Sequence, residues 1–222
     1  MRVTHRAAVF GALTLCLGAI PRGADACGGA LWEEAAHRRA PDLVAARKRA
    51  AARPPEAIAT ELVRAQERLE EGNESAAIRL VRTALPDIEE YDARWAKPHV
   101  ARALRTLSLA IVRSPLTDLK QRDFAVATLE RLVQRDDDDP IARTDLGEAL
   151  AARPDRAAEG RAMLEALAQD DLVVHSGGFA ALARGRVALG DEAGARVALG
   201  RCVQMATSSL ECRVTIPGAP SS

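Results

Sequence analysis

Breaks between helical stretches recur at nearly constant spacing along residues 54–206, and this periodicity constrains the fold more than any other feature. The breaks inside successive helical pairs fall at Gly72, near Pro115, near Arg153 and at Gly190, at intervals of 43, 38 and 37 residues. Two-helix units of roughly constant length are typical of a helical solenoid. The predicted helices lie near residues 56–71, 74–90, 97–113, 121–135, 140–152, 155–169, 177–189 and 191–206.

The residues at these breaks suit the end of one helix and the start of the next. Gly72 and Gly190 can adopt the left-handed conformation that closes a helix, and Asn73 and Asp191 follow them as N-caps. Asp139, the last residue of an Asp run, is expected to cap the helix after it rather than to bind calcium. The breaks therefore predict helix pairs joined by short turns.

The composition favours closely packed helices and argues against nucleic acid as a partner. Aromatic residues make up only 3% of the chain, so Ala, Leu and Val supply the apolar content. The 31 basic and 31 acidic residues balance, and the arginines are scattered among acids at helical spacing. We expect these charged residues to lie on solvent-exposed helix surfaces.

The pattern inside the helices resembles the tetratricopeptide repeat family, a helix-turn-helix unit of about 34 residues with small residues where paired helices meet. The third unit departs from the pattern, because Glu159 or Gly160 stands where the family has Ala. The matching residues of the second helices are Ala77, Val81, Ala84, Ala125, Leu129, Leu132, Ala195, Leu199 and Cys202, and those of the first helices are Ala65, Leu146, Gly147 and Ala183.

The resemblance implies an all-α fold, a right-handed α-α superhelix of about four helix-turn-helix units, whose first helices line a concave face. In the family's register, Gln66, Arg102, Glu148 and Arg184 would point to that face. The implied activity is binding of an extended peptide or a partner domain, with no chemistry and no cofactor of its own. Arginines in such a groove suit carboxylate-bearing partners.

Residues 1–26 have the three parts of a secretory signal peptide. A basic start precedes an uncharged, mostly apolar run over residues 7–20, and Ala24-Asp25-Ala26 supplies small residues for cleavage. The run is shorter than a membrane-spanning helix requires. We therefore expect export to the periplasm or beyond the cell, cleavage after Ala26, and no membrane span. The alternative is a buried N-terminal helix.

Cys27 would be the first residue of the exported chain, and it can be free, paired with another chain, or lipidated as in an outer-membrane lipoprotein. Its upstream residues match a lipidation signal poorly. Residues 27–53 form an Ala- and Arg-rich segment with one helix predicted from about Asp42.

Two further cysteines, Cys202 and Cys212, are expected to form a disulfide in an oxidising compartment. The segment between them is long enough for the chain to reverse direction, so the bridge would hold the extended C-terminal tail (residues 207–222) against the last helix. Two unpaired thiols are the alternative.

Motifs for catalysis or metal binding are not found in the sequence. His37, His99 and His175 are each isolated in sequence, and no metal site is predicted. Residues 175–179, HSGGF, are expected to form a flexible turn between units rather than a phosphate cradle.

The sequence thus predicts an exported scaffold that binds a protein or peptide in the bacterial cell envelope. A lipid-anchored structural or assembly component of the envelope is the alternative, and an enzyme with an unrecognised site is a remote one.

Overall fold

The computed structural model describes residues 53–207 and 212–215, and within these ranges the chain is all-helical, as predicted. None of the helices in this part of the chain is long and apolar enough to span a bilayer. The predicted signal peptide, the predicted helix from Asp42 and Cys27 lie outside the described residues. The helices are α1 (Pro55–Glu70), α2 (Glu74–Ala84), α3 (Pro98–Arg113), α4 (Leu119–Arg135), α5 (Pro140–Ala151), α6 (Ala157–Gln169), α7 (Ser176–Ala188) and α8 (Glu192–Met205), with a 3-10 helix at Ile88–Glu90.

The predicted caps of the first and last helix pairs are confirmed. Gly72 and Gly190 each have a φ of +77°, the left-handed conformation that ends a helix. The side chains of Asn73 and Asp191 each accept a hydrogen bond from the backbone N–H three residues further on. Asp139 likewise caps α5, accepting from the backbone N–H two residues on at 2.9 Å.

The second helix is shorter than predicted. A continuous helix over residues 74–90 is wrong, because α2 ends at Ala84 and the 3-10 helix follows separately. Pro86 accounts for the break, since it has no backbone N–H to donate and disfavours helical geometry in the residue before it.

Contacts between helices follow a regular order along the chain. The two helices of each pair pack together, and each pair contacts the next through its neighbouring helices. In addition α1 contacts α3, α3 contacts α5, and α5 contacts α7. The odd-numbered helices therefore pack in series and share one side of the structure.

Small residues let these helices approach closely. The side chains of Ala65, Ala77 and Ala183 are fully buried at helix contacts. At Gly160, in α6, a Cβ atom would lie only 2.3 Å from the backbone nitrogen of Ala151 in α5. The third unit therefore has Gly where the repeat pattern has Ala because the backbones of α5 and α6 leave no room for a methyl group.

The predicted disulfide between Cys202 and Cys212 is present, with 5.8 Å between the two Cα atoms. Both cysteines are buried in the core formed by α6, α7 and α8, and Val214 packs against that core. Before the bridge, the Thr207 hydroxyl donates to the backbone carbonyl of Glu70, 3.4 Å away. Thr207, just after α8, therefore lies beside the end of α1.

Candidate functional site

Two neighbouring cavities lie on the side formed by the odd-numbered helices. The first, of about 300 Å³, is lined mainly by α1, α3 and the start of α7. The second, of about 410 Å³, is lined by the α1–α2 turn and by the ends or faces of α3, α5 and α7. Leu69 and Arg113 line both cavities, so the two adjoin. We refer to these two cavities together as the groove.

All four residues assigned to the concave face line the groove. Gln66 and Arg102 line the first cavity, and Glu148 and Arg184 line the second. Gln66 donates to Glu70 at 3.1 Å. Gln66, Arg102 and Arg184 are exposed, whereas Glu148 is only 2% exposed. Their role in partner binding stays a prediction.

Glu148 is buried because it is paired with Arg113 across the contact between α5 and α3. The Arg113 guanidinium donates from Nε to Oε1 at 2.8 Å and from Nη2 to Oε2 at 2.9 Å. Burial raises the pKa of Glu148, but the charge and hydrogen bonds of Arg113, with smaller contributions from His175 and Arg184, bring it down to about 2. Glu148 is therefore a carboxylate at neutral pH.

A second buried carboxylate lies one helical turn before Glu148. Asp145 is fully buried and accepts hydrogen bonds from two side chains on neighbouring helices. Arg105 of α3 contacts it with Nε and Nη2, and His175 places Nε2 at 2.7 Å from its Oδ1. The two carboxylates thus tie the odd-numbered helices of the second, third and fourth pairs together.

The HSGGF segment is the start of α7, so the prediction of a flexible turn is wrong. His175 is the N-cap, and its Nδ1 accepts from the Gly178 backbone N–H at 3.2 Å. Through its other ring nitrogen, Nε2, His175 also bonds Asp145 at 2.7 Å. A Cβ at Gly177 would lie 2.2 Å from Nη2 of Arg113, so this glycine lets α7 approach the ion pair.

Three arginines in the groove have no hydrogen bond or ion pair with any residue of the described ranges. They are Arg102 in the first cavity and Arg184 and Arg213 in the second. Desolvation of the Arg184 guanidinium lowers the pKa of Arg184. The negative charge of Glu148 raises this pKa, and the positive charge of Arg113 lowers it further. All three residues keep exposed surface, although the Arg184 guanidinium is partly desolvated and lies within the field of Glu148.

Sequence reasoning missed four residues of this site: Arg105, Arg113, Asp145 and His175. The spacing of Asp145 and Glu148 does place two carboxylates on one helix face, which is a usable signal for buried pairing. Their partners could not be identified in the same way, because they lie 30 to 40 residues away in the chain.

Comparison of the chain with protein-family models, with curated proteins and with solved structures finds no significant match. Within the described ranges, no group of three or more His, Cys, Asp or Glu side chains is placed to hold a metal ion.

Proposed function

We propose that this chain is an exported scaffold of the tetratricopeptide-like class, which binds a protein or peptide partner in the groove. The chain acts by holding that partner, and the chemistry of any reaction belongs to other proteins. The helix pairs stack about a common superhelical axis, so that the odd-numbered helices form the concave wall of the binding face.

The observation that carries this proposal is the convergence of Arg102 and Arg184 on adjoining cavities. Both are exposed cations on odd-numbered helices, and neither has an ion-pair partner among the described residues. The acidic groups beneath them, Asp145 and Glu148, are already paired with Arg105 and Arg113. Five arginines and three carboxylates, those of Glu70, Glu74 and Glu148, line the two cavities, so the lining of the groove carries an excess of positive charge.

Free guanidinium groups select partners that carry carboxylates, because Arg binds them through two parallel hydrogen bonds. Leu69, the apolar residue that lines both cavities, is only 5% exposed, so the charged side chains define what the groove can recognise. An extended segment with neighbouring carboxylates has the matching chemistry.

Export is supported by the disulfide between Cys202 and Cys212, since such bonds persist in oxidising compartments. The periplasm or the space outside the cell is therefore the proposed location. The N-terminal sequence of the protein isolated from its host tests this part, with a start at Cys27 as the expected result.

The binding proposal is tested with fluorescein-labelled hexaglutamate, titrated with the full-length chain at low ionic strength and followed by fluorescence polarisation. Replacing Arg102 and Arg184 together by Gln is expected to raise Kd about 25-fold, the product of about fivefold for each exposed contact.

The matched control replaces Arg79 of α2 and Arg131 of α4 by Gln. Both residues are exposed on even-numbered helices, and the variant loses the same net charge. It is expected to change Kd by less than twofold. An equal rise of Kd in the two variants, or no binding by the unmodified chain, would contradict the proposal that the partner binds in the groove.

A further inference from the structure

Arg213 reaches the groove from outside the helical array. It lines the second cavity together with Arg113 and Arg184, although it lies beyond the end of α8. Its side chain is exposed and has no hydrogen bond or ion pair within the described ranges. A cation from the C-terminal segment thus joins cations from two helices of the array.

The residues on either side of Arg213 are held in the core. Cys212 is buried and covalently bound to Cys202 of α8, and Val214 packs against the core of α6, α7 and α8. Arg213 itself is exposed and lines the second cavity, and it also lines a cavity beside α8 with Leu199 and Val203. The position of the Arg213 backbone is therefore set by the residues that flank it.

The disulfide is the covalent part of this arrangement. It closes a short loop between Cys202 and Cys212, which are separated by 10 residues. Loop closure of this kind restricts the conformations of the segment even when its noncovalent contacts open. Without the bond, Val214 and the buried Cys212 side chain alone would keep Arg213 near Arg184.

We infer that Arg213 is a partner-binding residue of the groove and that the Cys202–Cys212 disulfide places it there. The inference rests on the proposed function, and it adds that the oxidised chain binds acidic partners more tightly than the chain without the bond. The second cavity then presents two guanidinium groups, Arg184 and Arg213, neither of them in an ion pair within the described residues, to neighbouring carboxylates of one acidic segment.

The inference is tested with the same hexaglutamate titration of the full-length chain. Arg213→Gln is expected to raise Kd about fivefold, the size of one exposed charge contact. Cys202→Ala combined with Cys212→Ser is expected to raise Kd by a similar factor. The triple variant is expected to bind no more weakly than either, because both changes remove the same contact.

The control is Arg131→Gln, which removes one exposed positive charge from α4, outside the groove. An effect of Arg213→Gln equal to that of this control would overturn the inference. An unchanged Kd on loss of the disulfide, or independent effects of the two changes in the triple variant, would also overturn it.

Two results keep this inference separate from the proposed function. If the Arg102 and Arg184 replacements weaken binding and Arg213→Gln does not, only the inference fails. If the unmodified chain does not bind hexaglutamate, the proposed function fails first. Because Arg213→Gln keeps the disulfide intact, it remains informative even if the cysteine variant does not fold.

Discussion

Arg113 holds Glu148 with two parallel hydrogen bonds, of 2.8 Å from Nε and 2.9 Å from Nη2, across the contact between α3 and α5. The Glu148 side chain is 3% exposed and that of Arg113 is 17% exposed, so water screens this pair little. The pair joins helices of two successive units and lines the second cavity. It therefore links the two helices that form this part of the groove wall, and Arg184 makes no ion pair with Glu148 but lies within its electrostatic field.

Glu148→Gln is expected to lower the free energy of unfolding by about 2–4 kcal/mol, because it leaves the mostly buried guanidinium of Arg113 without its carboxylate. Urea denaturation at pH 7 measures this change. In a double-mutant cycle with Arg113→Met, the double variant is expected to be destabilised by less than the sum of the single variants. Additive effects would show that the two residues do not act as a pair.

Acidification is expected to remove the stabilisation that Glu148 provides. Its pKa is about 2 in the folded protein against an ordinary value of 4.5, so the unfolded chain takes up this proton first as pH falls. The contribution, on the order of 3 kcal/mol, is complete above the unfolded pKa and is lost as pH falls toward the folded one. The measurement is urea denaturation across this pH range for the wild type and Glu148→Gln.

The difference in unfolding free energy between these two proteins should shrink as pH falls from about 4.5 to about 2. A difference that stays constant over this range would mean that the carboxylate has no lowered pKa.

Gly160→Ala is expected to destabilise the protein by about 1–3 kcal/mol, although Ala has the higher helix propensity. The added Cβ would lie 2.3 Å from the Ala151 nitrogen and 2.7 Å from the Gly147 carbonyl oxygen, so α5 and α6 would have to separate. Thermal denaturation measures the effect.

Gly200→Ala is the matched control, since a Cβ on this glycine of α8 would have no atom within 4 Å. It is expected to stabilise the protein by up to about 1 kcal/mol through helix propensity. If both substitutions stabilise the chain, α5 and α6 do not pack as closely as described.

Loss of the Cys202–Cys212 disulfide is expected to lower stability by about 2.5–3 kcal/mol, the chain-entropy value for so short a loop. Melting curves of the wild type with and without a dithiol reductant measure this, and the Cys202→Ala, Cys212→Ser variant serves as the reductant-insensitive control. An unchanged melting temperature together with two reactive thiols at these positions would show that the bond does not form.

The sequence predicts the local features of this fold well, because they depend on neighbouring residues. Gly72 and Gly190 end helices by their conformational freedom, and Asn73 and Asp191 start the next ones with their own side chains. Pro86 was a comparable local signal, and the prediction that a helix continues through it was wrong.

The site was only partly predictable, because its pairing is tertiary. The register implied by the family resemblance assigned Gln66, Arg102, Glu148 and Arg184 to the concave face, but register cannot tell an unpaired side chain from a paired one. His175 is isolated from other histidines in the sequence, yet it bonds Asp145, which lies 30 residues away. The glycine at 177 suggested flexibility, whereas it gives room for the Arg113–Glu148 pair.

Partner binding in the groove is tested most directly by NMR, with hexaglutamate titrated into the ¹⁵N-labelled full-length chain. The expected result is a set of saturable amide shifts concentrated in α1, α3, α5 and α7 and around Arg213, with little change in α2, α4 and α6. Shifts confined to the even-numbered helices, or shifts that do not saturate, would contradict binding in the groove.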